Sequence, residues 1–195
     1  MSSITKRQLE IIQAAGKILT QSGIHGLTMK NLAKEMNFSE SAIYRHFESK
    51  EAIIITMLNY LAVTMDERLS NATKETDLPI KHLELLFQNQ IAFFKENTHF
   101  LISVFSDGLL EESEKINKCI HAIMQVKSKH IVGIIKAGQD RKIITNKLDK
   151  EALTHIIMGG FRLLMYKWRL AKFKFDITLE GDNYIKSILE LIKIR

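Results

Sequence analysis

Cysteine occurs once, at Cys119, and proline once, at Pro79, in a chain of 195 residues. A lone thiol cannot close an internal disulfide, which excludes a disulfide-stapled scaffold and fits a reducing compartment. Cys119 lies in the helical apolar pattern KINKCIHAIMQV, where it reads as a packed residue or, alternatively, a thiol sensor. With one proline and few β-alternating runs, Ile, Leu, Lys and Glu recur at helical spacing, so the chain is expected to be all-α. Long hydrophobic runs are missing too. The run IIQAAGKIL is interrupted by Gln13 and Lys17, and the stretch from Ile156 to Tyr166 is cut by Arg162. Neither has the length of a membrane span or the character of a secretory leader, so a soluble protein of the cytoplasm is expected. Linear catalytic signatures are equally absent: there is no G-x-S-x-G elbow, P-loop, H-E-x-x-H or glycine-rich dinucleotide turn, so no catalytic residue is nominated. The histidines His82, His99, His121, His130 and His155 lack the spacing of a metal site, and neither a metal nor a resident cofactor is expected.

What the chain does have is the stretch 28–50, TMKNLAKEMNFSESAIYRHFESK. Met29, Leu32, Ala33 and Met36 form the i, i+3, i+4, i+7 stripe of a helix with one buried face, and Thr28 stands where a hydroxyl can cap its first turn. Asn37 and Phe38 break the pattern. Ser39 is a second cap, opening a short helix from Ser39 to Phe47 whose apolar seam is only Ala42, Ile43 and Phe47. Its other face carries Glu40, Ser41, Tyr44, Arg45 and His46. Two helices joined by a tight turn, the second presenting polar side chains outward, form a helix-turn-helix whose second helix fits the major groove. The same pattern also fits a short polar surface helix between two amphipathic ones. On the first reading Tyr44, His46 and Lys50 grip phosphates, Thr28 and Ser39 anchor the two helix starts, and Ser41, Ala42, Arg45 and Glu40 are candidates for base contact. Lys50 falls in the first turn of a further helix, beside free backbone N–H groups.

Charge agrees with a polyanionic partner. The formal net charge is +6, and residues 1–50 hold seven Lys and Arg against four Glu. Lys17 and Lys34 fit a solvated helix face equally well.

As an ordered set, the helix end at Ser22-Gly23, the Gly26-Leu27-Thr28 step, Leu32-Ala33, the Phe38-Ser39 turn, Ile43-Tyr44-Arg45-His46-Phe47 and Ser49-Lys50-Glu51 resemble the DNA-binding domain of the tetracycline-repressor (TetR/AcrR) family of bacterial transcriptional regulators. Two positions depart from the pattern: Phe38 replaces a commonly smaller apolar residue, and Ser41 a common Gly or Ala. The resemblance implies an N-terminal three-helix helix-turn-helix domain, residues 1–50, and a larger C-terminal helical domain, residues 51–195, for effector binding and dimerisation. It also implies a repressor that binds double-stranded DNA at a palindromic operator as a homodimer, at work on the nucleoid, and a small apolar or amphipathic effector of unknown identity. Candidate lining residues for that effector are Phe87, Phe93, Phe94, Phe100, Phe105, Met124 and Met158, with His99, Asp107 or Arg162 as polar orienting groups, although such residues also simply fill cores. Two other classes stay open: a DNA-bound structural or division-coordinating protein without a small-molecule effector, and a helical cytosolic enzyme.

Periodicity places the remaining helices at 6–21, 49–69, 79–96, 98–106, 109–141, 149–172 and 178–193, with 70–77 as the clearest linker. The pair Gly159-Gly160 inside a helix costs about 1 kcal/mol per glycine relative to alanine. Close approach across a two-fold axis, or a kink, would account for it; in the family resembled, the last two helices form a four-helix dimer interface. The run 167–174 mixes basic and aromatic residues, as single-strand binders do, and equally fits the cover of a helix C-terminus.

Overall fold

The computed structural model describes residues 4–74, 76–104 and 113–194, with residue 103 described in its backbone alone. Among these residues the regular structure is helical: α1 (Lys6–Gly26), α2 (Met29–Met36), α3 (Glu40–Tyr44), α4 (Lys50–Ala72), α5 (Pro79–Glu96), α6 (Thr98–Val104), α7 (Glu114–Asp140), α8 (Lys150–Leu170) and α9 (Ile177–Ile192). One isolated antiparallel bridge joins Ile144 and Lys193. Among the described residues no helix is long and apolar enough to cross a membrane.

The chain packs as two compact units, Met1–Val63 with Asn97–Ile123, and Thr64–Glu96 with Met124–Arg195. The division expected at residue 50 follows the reading motif, whereas the packing boundaries fall inside α4 and α7. Fifty residues alone form a marginal core. The first unit therefore adds the start of α4, α6 and the start of α7 to the three N-terminal helices. Ile11, Ile12, Ala15 and Leu19 of α1 share its core with Leu32 and Ala33 of α2, Ile43 of α3, and Ile53, Ile54, Met57, Leu58 and Leu61 of α4. Phe100 and Leu101 of α6 and Ile116 of α7 close it. His99 lies against Gly16, where an alanine methyl would collide with its ring, so α1 and α6 pack nearly backbone to ring. Burial lowers the pKa of His99.

The second unit buries Leu83, Phe87, Ile91 and Phe94 of α5, Ile131 and Ile135 of α7, Leu153, Ile157, Phe161 and Met165 of α8, and Ile185 and Ile188 of α9. The sequence 167–174 proves to be a helix end. Lys172 and Phe173 take left-handed φ of 51° and 61°, the Phe173 N–H donates to the Trp168 carbonyl at 2.9 Å, and the indole N–H of Trp168 donates to the Phe175 carbonyl at 3.1 Å. The aromatic rings turn inward, and Lys167 and Arg169 lie in the last turn of α8 where cations complement the dipole.

The pair Gly159-Gly160 lies in one continuous helix, and its two members differ in role. A Cβ on Gly160 would meet the Tyr184 ring of α9, while one on Gly159 would meet nothing within 4 Å. Cys119 is half-buried, and burial pushes its thiol pKa up, which fits the packed rather than the sensing reading.

Several candidates for the effector wall are placed differently from expectation. Met124 and Arg162 are exposed, and His99 belongs to the first unit rather than to the aromatic core of the second. Arg162 stands off the buried stripe Leu153, Ile157, Phe161, Met165 and Trp168 of α8, whose steps of three and four residues set its inner face. Phe105 and Asp107 lie outside the described residues.

Candidate nucleic-acid interface

The reading helices are held from α1 upward. The Thr5 hydroxyl accepts from the Gln8 N–H at 3.2 Å while the Gln8 side chain accepts from the Thr5 N–H at 3.1 Å, a reciprocal cap that starts α1. The helix was expected to stop near Gln21. It runs on to Gly26 through a break at Gly23, whose φ of 66° suits a residue without Cβ, and this break lets Ile24 turn back into the core. Leu27 is buried beside it, and the chain enters α2.

Thr28 caps α2: its hydroxyl accepts from the Asn31 N–H at 3.0 Å. The Asn31 amide in turn donates to the Gly26 carbonyl at 2.8 Å, tying the start of α2 to the end of α1. At the other end Asn37 adopts the left-handed conformation, φ 54°, and its N–H and that of Phe38 return to the Lys34 and Ala33 carbonyls. Asparagine is among the few non-glycine residues that take this conformation readily, so the turn is written in the sequence. Phe38 then rests under the Arg7 guanidinium, 5.0 Å from the ring centre. The larger ring at this position thus has a partner on α1.

Ser39 caps α3, accepting from the Ala42 N–H at 3.2 Å, and its hydroxyl lies 2.9 Å from that of Ser41. The helix is shorter than the expected Ser39–Phe47. Regular α-helix ends at Tyr44, and the next residues continue as a tight turn in which the His46 and Phe47 N–H groups both reach the Ile43 carbonyl. The shortening has a packing reason: Ile43 and Phe47 are both buried, and closing the last turn brings Phe47 down beside Ile43. Ser49 follows as the cap of α4, accepting from the Ala52 N–H at 3.1 Å.

Burial on one side leaves the other side presented. Glu40, Ser41, Tyr44, Arg45 and His46 are exposed, and Tyr44 keeps 50% of its surface in solvent. Among the described residues none of Tyr44, Arg45 and His46 has a side-chain hydrogen bond or ion pair, so these groups are available to a ligand. Thr28 and Ser39 are exposed, but their hydroxyls already serve as caps: Thr28 keeps a lone pair and its proton for an outside partner, whereas the Ser39 hydroxyl also bonds that of Ser41 and keeps only one of the two. Ala42 is half-buried and presents only part of its methyl; Lys50 is half-buried in the first turn of α4. Lys30 and Lys34 of α2 are also exposed, and Lys17 of α1 pairs with Glu35 of α2. Lys17 is thus a structural group, as the solvated-face reading allowed. Asn31 and Arg7, absent from the sequence candidates, position the two helices. Asn31 had a signal in its third-residue spacing after Thr28, whereas the Arg7–Phe38 contact joins residues too far apart for any spacing rule.

Comparison with known proteins bears on this geometry. Residues 11–57 match the family described as bacterial regulatory proteins, tetR family. The chain is 31% identical over 188 residues to the uncharacterized HTH-type transcriptional regulator YuxN of Bacillus subtilis; the match covers 92% of this chain and 63% of that protein, so the chain spans less than two thirds of this relative's length. It is 24% identical to the nucleoid occlusion factor SlmA of Aliivibrio fischeri, over 91% of each. The fold is shared with the transcriptional regulator FadR of Bacillus subtilis, solved in complex with stearoyl-CoA, at a TM-score of 0.83 and 20% identity over 93% of this chain and 97% of that one. The capped α2, the left-handed Asn37 turn and the presented α3 all lie inside the residues, 11–57, that match the tetR family of bacterial regulatory proteins.

Proposed function

We propose that the chain is a ligand-responsive transcriptional repressor that binds a palindromic operator as a homodimer. The observation that carries this reading is the outward set Tyr44, Arg45 and His46 at the end of α3, which has no side-chain hydrogen bond or ion pair among the described residues and is held in place by buried Ile43 and Phe47. Arg45 is suited to the two-pronged contact with guanine, and Tyr44, His46 and Lys50 to phosphate oxygens, with Thr28 and Ser39 at the helix starts and Glu40, Ser41 and Ala42 beside the bases. Two copies of α3 would enter successive major grooves about 34–36 Å apart.

Dimerisation is supported by an exposed apolar surface on the last two long helices. Ile156, Leu163, Tyr166 and Leu170 of α8 are exposed, at 53%, 59%, 40% and 64%, and with the open Gly159 they fall at alternating steps of three and four residues. That is the seam spacing of packed helices. Exposed Leu179 and Leu191 of α9 extend the apolar surface. Dimerisation through α8 and α9 would cover it, and a small residue at Gly159 would let the helices approach closely.

Repression would be relieved by an effector bound within the helical core of the second unit. Such a molecule shifts the equilibrium only by its preference for the state that cannot hold DNA. The resemblance to a nucleoid occlusion factor supports a second reading, a DNA-bound division-coordinating protein without an effector. Selection of bound sequences from a random duplex pool tests the main proposal: a two-fold symmetric consensus is expected, and the absence of any retained duplex at low salt would reject it. Compound-dependent release of the selected duplex separates the two readings.

A further inference from the structure

The start of α3 has no cation of its own in the sequence. Between Lys34 and Arg45 the chain carries two acids, Glu35 and Glu40, and no base. The phosphate candidates Tyr44, His46 and Lys50 all lie at or beyond the last residue of α3. The fold fills the gap from α1. Arg7, in the first turn of α1, holds its guanidinium carbon 5.0 Å from the centre of the Phe38 ring, and Phe38 immediately precedes the Ser39 cap of α3. Nη1 donates to the Glu10 carboxylate at 2.6 Å. The side chain is 49% exposed, and among the described residues its Nε and Nη2 have no hydrogen-bond partner. Arg7 precedes the matched residues 11–57, so its place over the turn comes from the fold rather than from the shared pattern.

An arginine free to sweep through solvent loses rotamer entropy when it grips a phosphate. Here two anchors restrict it beforehand: the ring face under the guanidinium plane, and the Glu10 carboxylate at one edge. An ion pair this exposed adds little to stability. Its clearer consequence is to fix where the remaining donors lie. A short helix seated in the major groove, about 12 Å across, has a sugar–phosphate backbone on either side. Tyr44, His46 and Lys50 serve the backbone at the end of α3. The backbone beside its start meets Ser39, whose hydroxyl is committed to a cap and to Ser41, and the guanidinium over Phe38. We propose that Arg7 is a DNA-contacting residue, resting on Phe38 and Glu10 and donating Nε–H and Nη2–H to a phosphate beside the start of α3. This deepens the DNA-binding reading given above and rests on it. A contact to phosphate alone adds affinity without sequence preference. It also gives Phe38 a purpose, since a ring offers the guanidinium a platform that a smaller apolar residue does not.

The test is the salt dependence of duplex binding by the full chain, measured on the selected duplex and on a random-sequence duplex. Arg7→Met keeps an unbranched apolar side chain over the ring and removes the charge. It should weaken both duplexes alike, by roughly three- to tenfold, and lower the salt slope by about 0.9 for each bound copy. Arg7→Lys should keep the slope and recover only part of the affinity, because an ammonium lacks the planar fork. Phe38→Leu should weaken the random duplex by about twofold in the wild-type background and have no further effect beside Arg7→Met. Lys81→Met is the control: Lys81 pairs with Glu84 at 2.8 Å with 48% of its side chain exposed, and its loss should leave the slope unchanged. The Arg7 and Lys81 variants should melt within about 2 °C of wild type, as exposed substitutions do. An unchanged slope in Arg7→Met, or an equal fall in Lys81→Met, would overturn the proposal. So would a loss confined to the selected duplex, which would make Arg7 a brace for the reading helix and nothing more. Failure of wild type to retain any duplex at low salt would instead reject the DNA-binding reading itself.

Discussion

Tyr184 of α9 lies over Gly160 of α8 so closely that a methyl group on the glycine would sit 2.8 Å from the ring and 3.0 Å from the hydroxyl oxygen. The same hydroxyl donates to the Ile157 carbonyl on α8, and burial pushes its pKa up. A glycine pair that looks like a helix defect in the sequence is thus one packing contact and one open surface position.

Gly160→Ala forces the Tyr184 ring aside and should destabilise the chain by about 1–2 kcal/mol, since overpacking outweighs the gain in helix propensity. Gly159→Ala meets nothing in the single chain and should stabilise it by roughly 0.5–1 kcal/mol at low concentration. If a second copy approaches at Gly159, the same change weakens the dimer. Denaturant melts together with sedimentation of both variants check these opposite signs.

Leu163→Glu combined with Leu170→Glu places two charges on the exposed seam of α8. The expected result is a monomer with unchanged helix content and at least a hundredfold loss of operator affinity. Unaltered sedimentation would mean that this face is not where copies meet.

Arg45→Ala should relax sequence preference, with a discrimination loss of about 1–3 kcal/mol at the base it reads. Lys50→Ala should weaken selected and random duplexes alike and lower the salt slope by roughly one unit. Binding titrations at several salt concentrations measure both, and an unchanged slope for the lysine variant would reject its phosphate role.

Lys127 gives the stability a defined pH dependence. Its pKa falls from 10.5 to about 7 on folding, so above pH 7 the unfolded chain holds a proton that the folded chain has released. Stability contributed by this group therefore rises with pH between those values, at no more than about 1.4 kcal/mol per pH unit, and is flat below pH 7, where both states are protonated. Melts of wild type and Lys127→Met from pH 7 to 9, below the range in which unfolded tyrosines ionise, should show the rise in wild type alone.

The elements legible in the sequence are those set by local rules. Thr28 and Ser39 as caps, the Met29–Met36 stripe, and the start of α5 at Pro79 all follow from hydroxyl capping, helical period and proline tolerance at a first turn. The end of α3 did not follow, because it depends on where Phe47 finds its pocket. Nor did the extension of α1 past Gly23, since a glycine marks a change of direction without saying whether the helix resumes.

The sequence by itself determined the helix class, the capped turn from Asn37 to Ser39 and which side chains of α3 face outward, because each is a matter of spacing within a few residues. Only the tertiary structure decided that α6 and the start of α7 complete the core of the first unit, that Gly160 belongs to Tyr184, that Lys127 lies over the Phe161 ring, and that Gln90 is buried with no hydrogen-bond partner among the described residues. Those outcomes join residues tens of positions apart. Burial of a polar group is a property of what surrounds it in space, so no local pattern around a lysine or a glutamine records it.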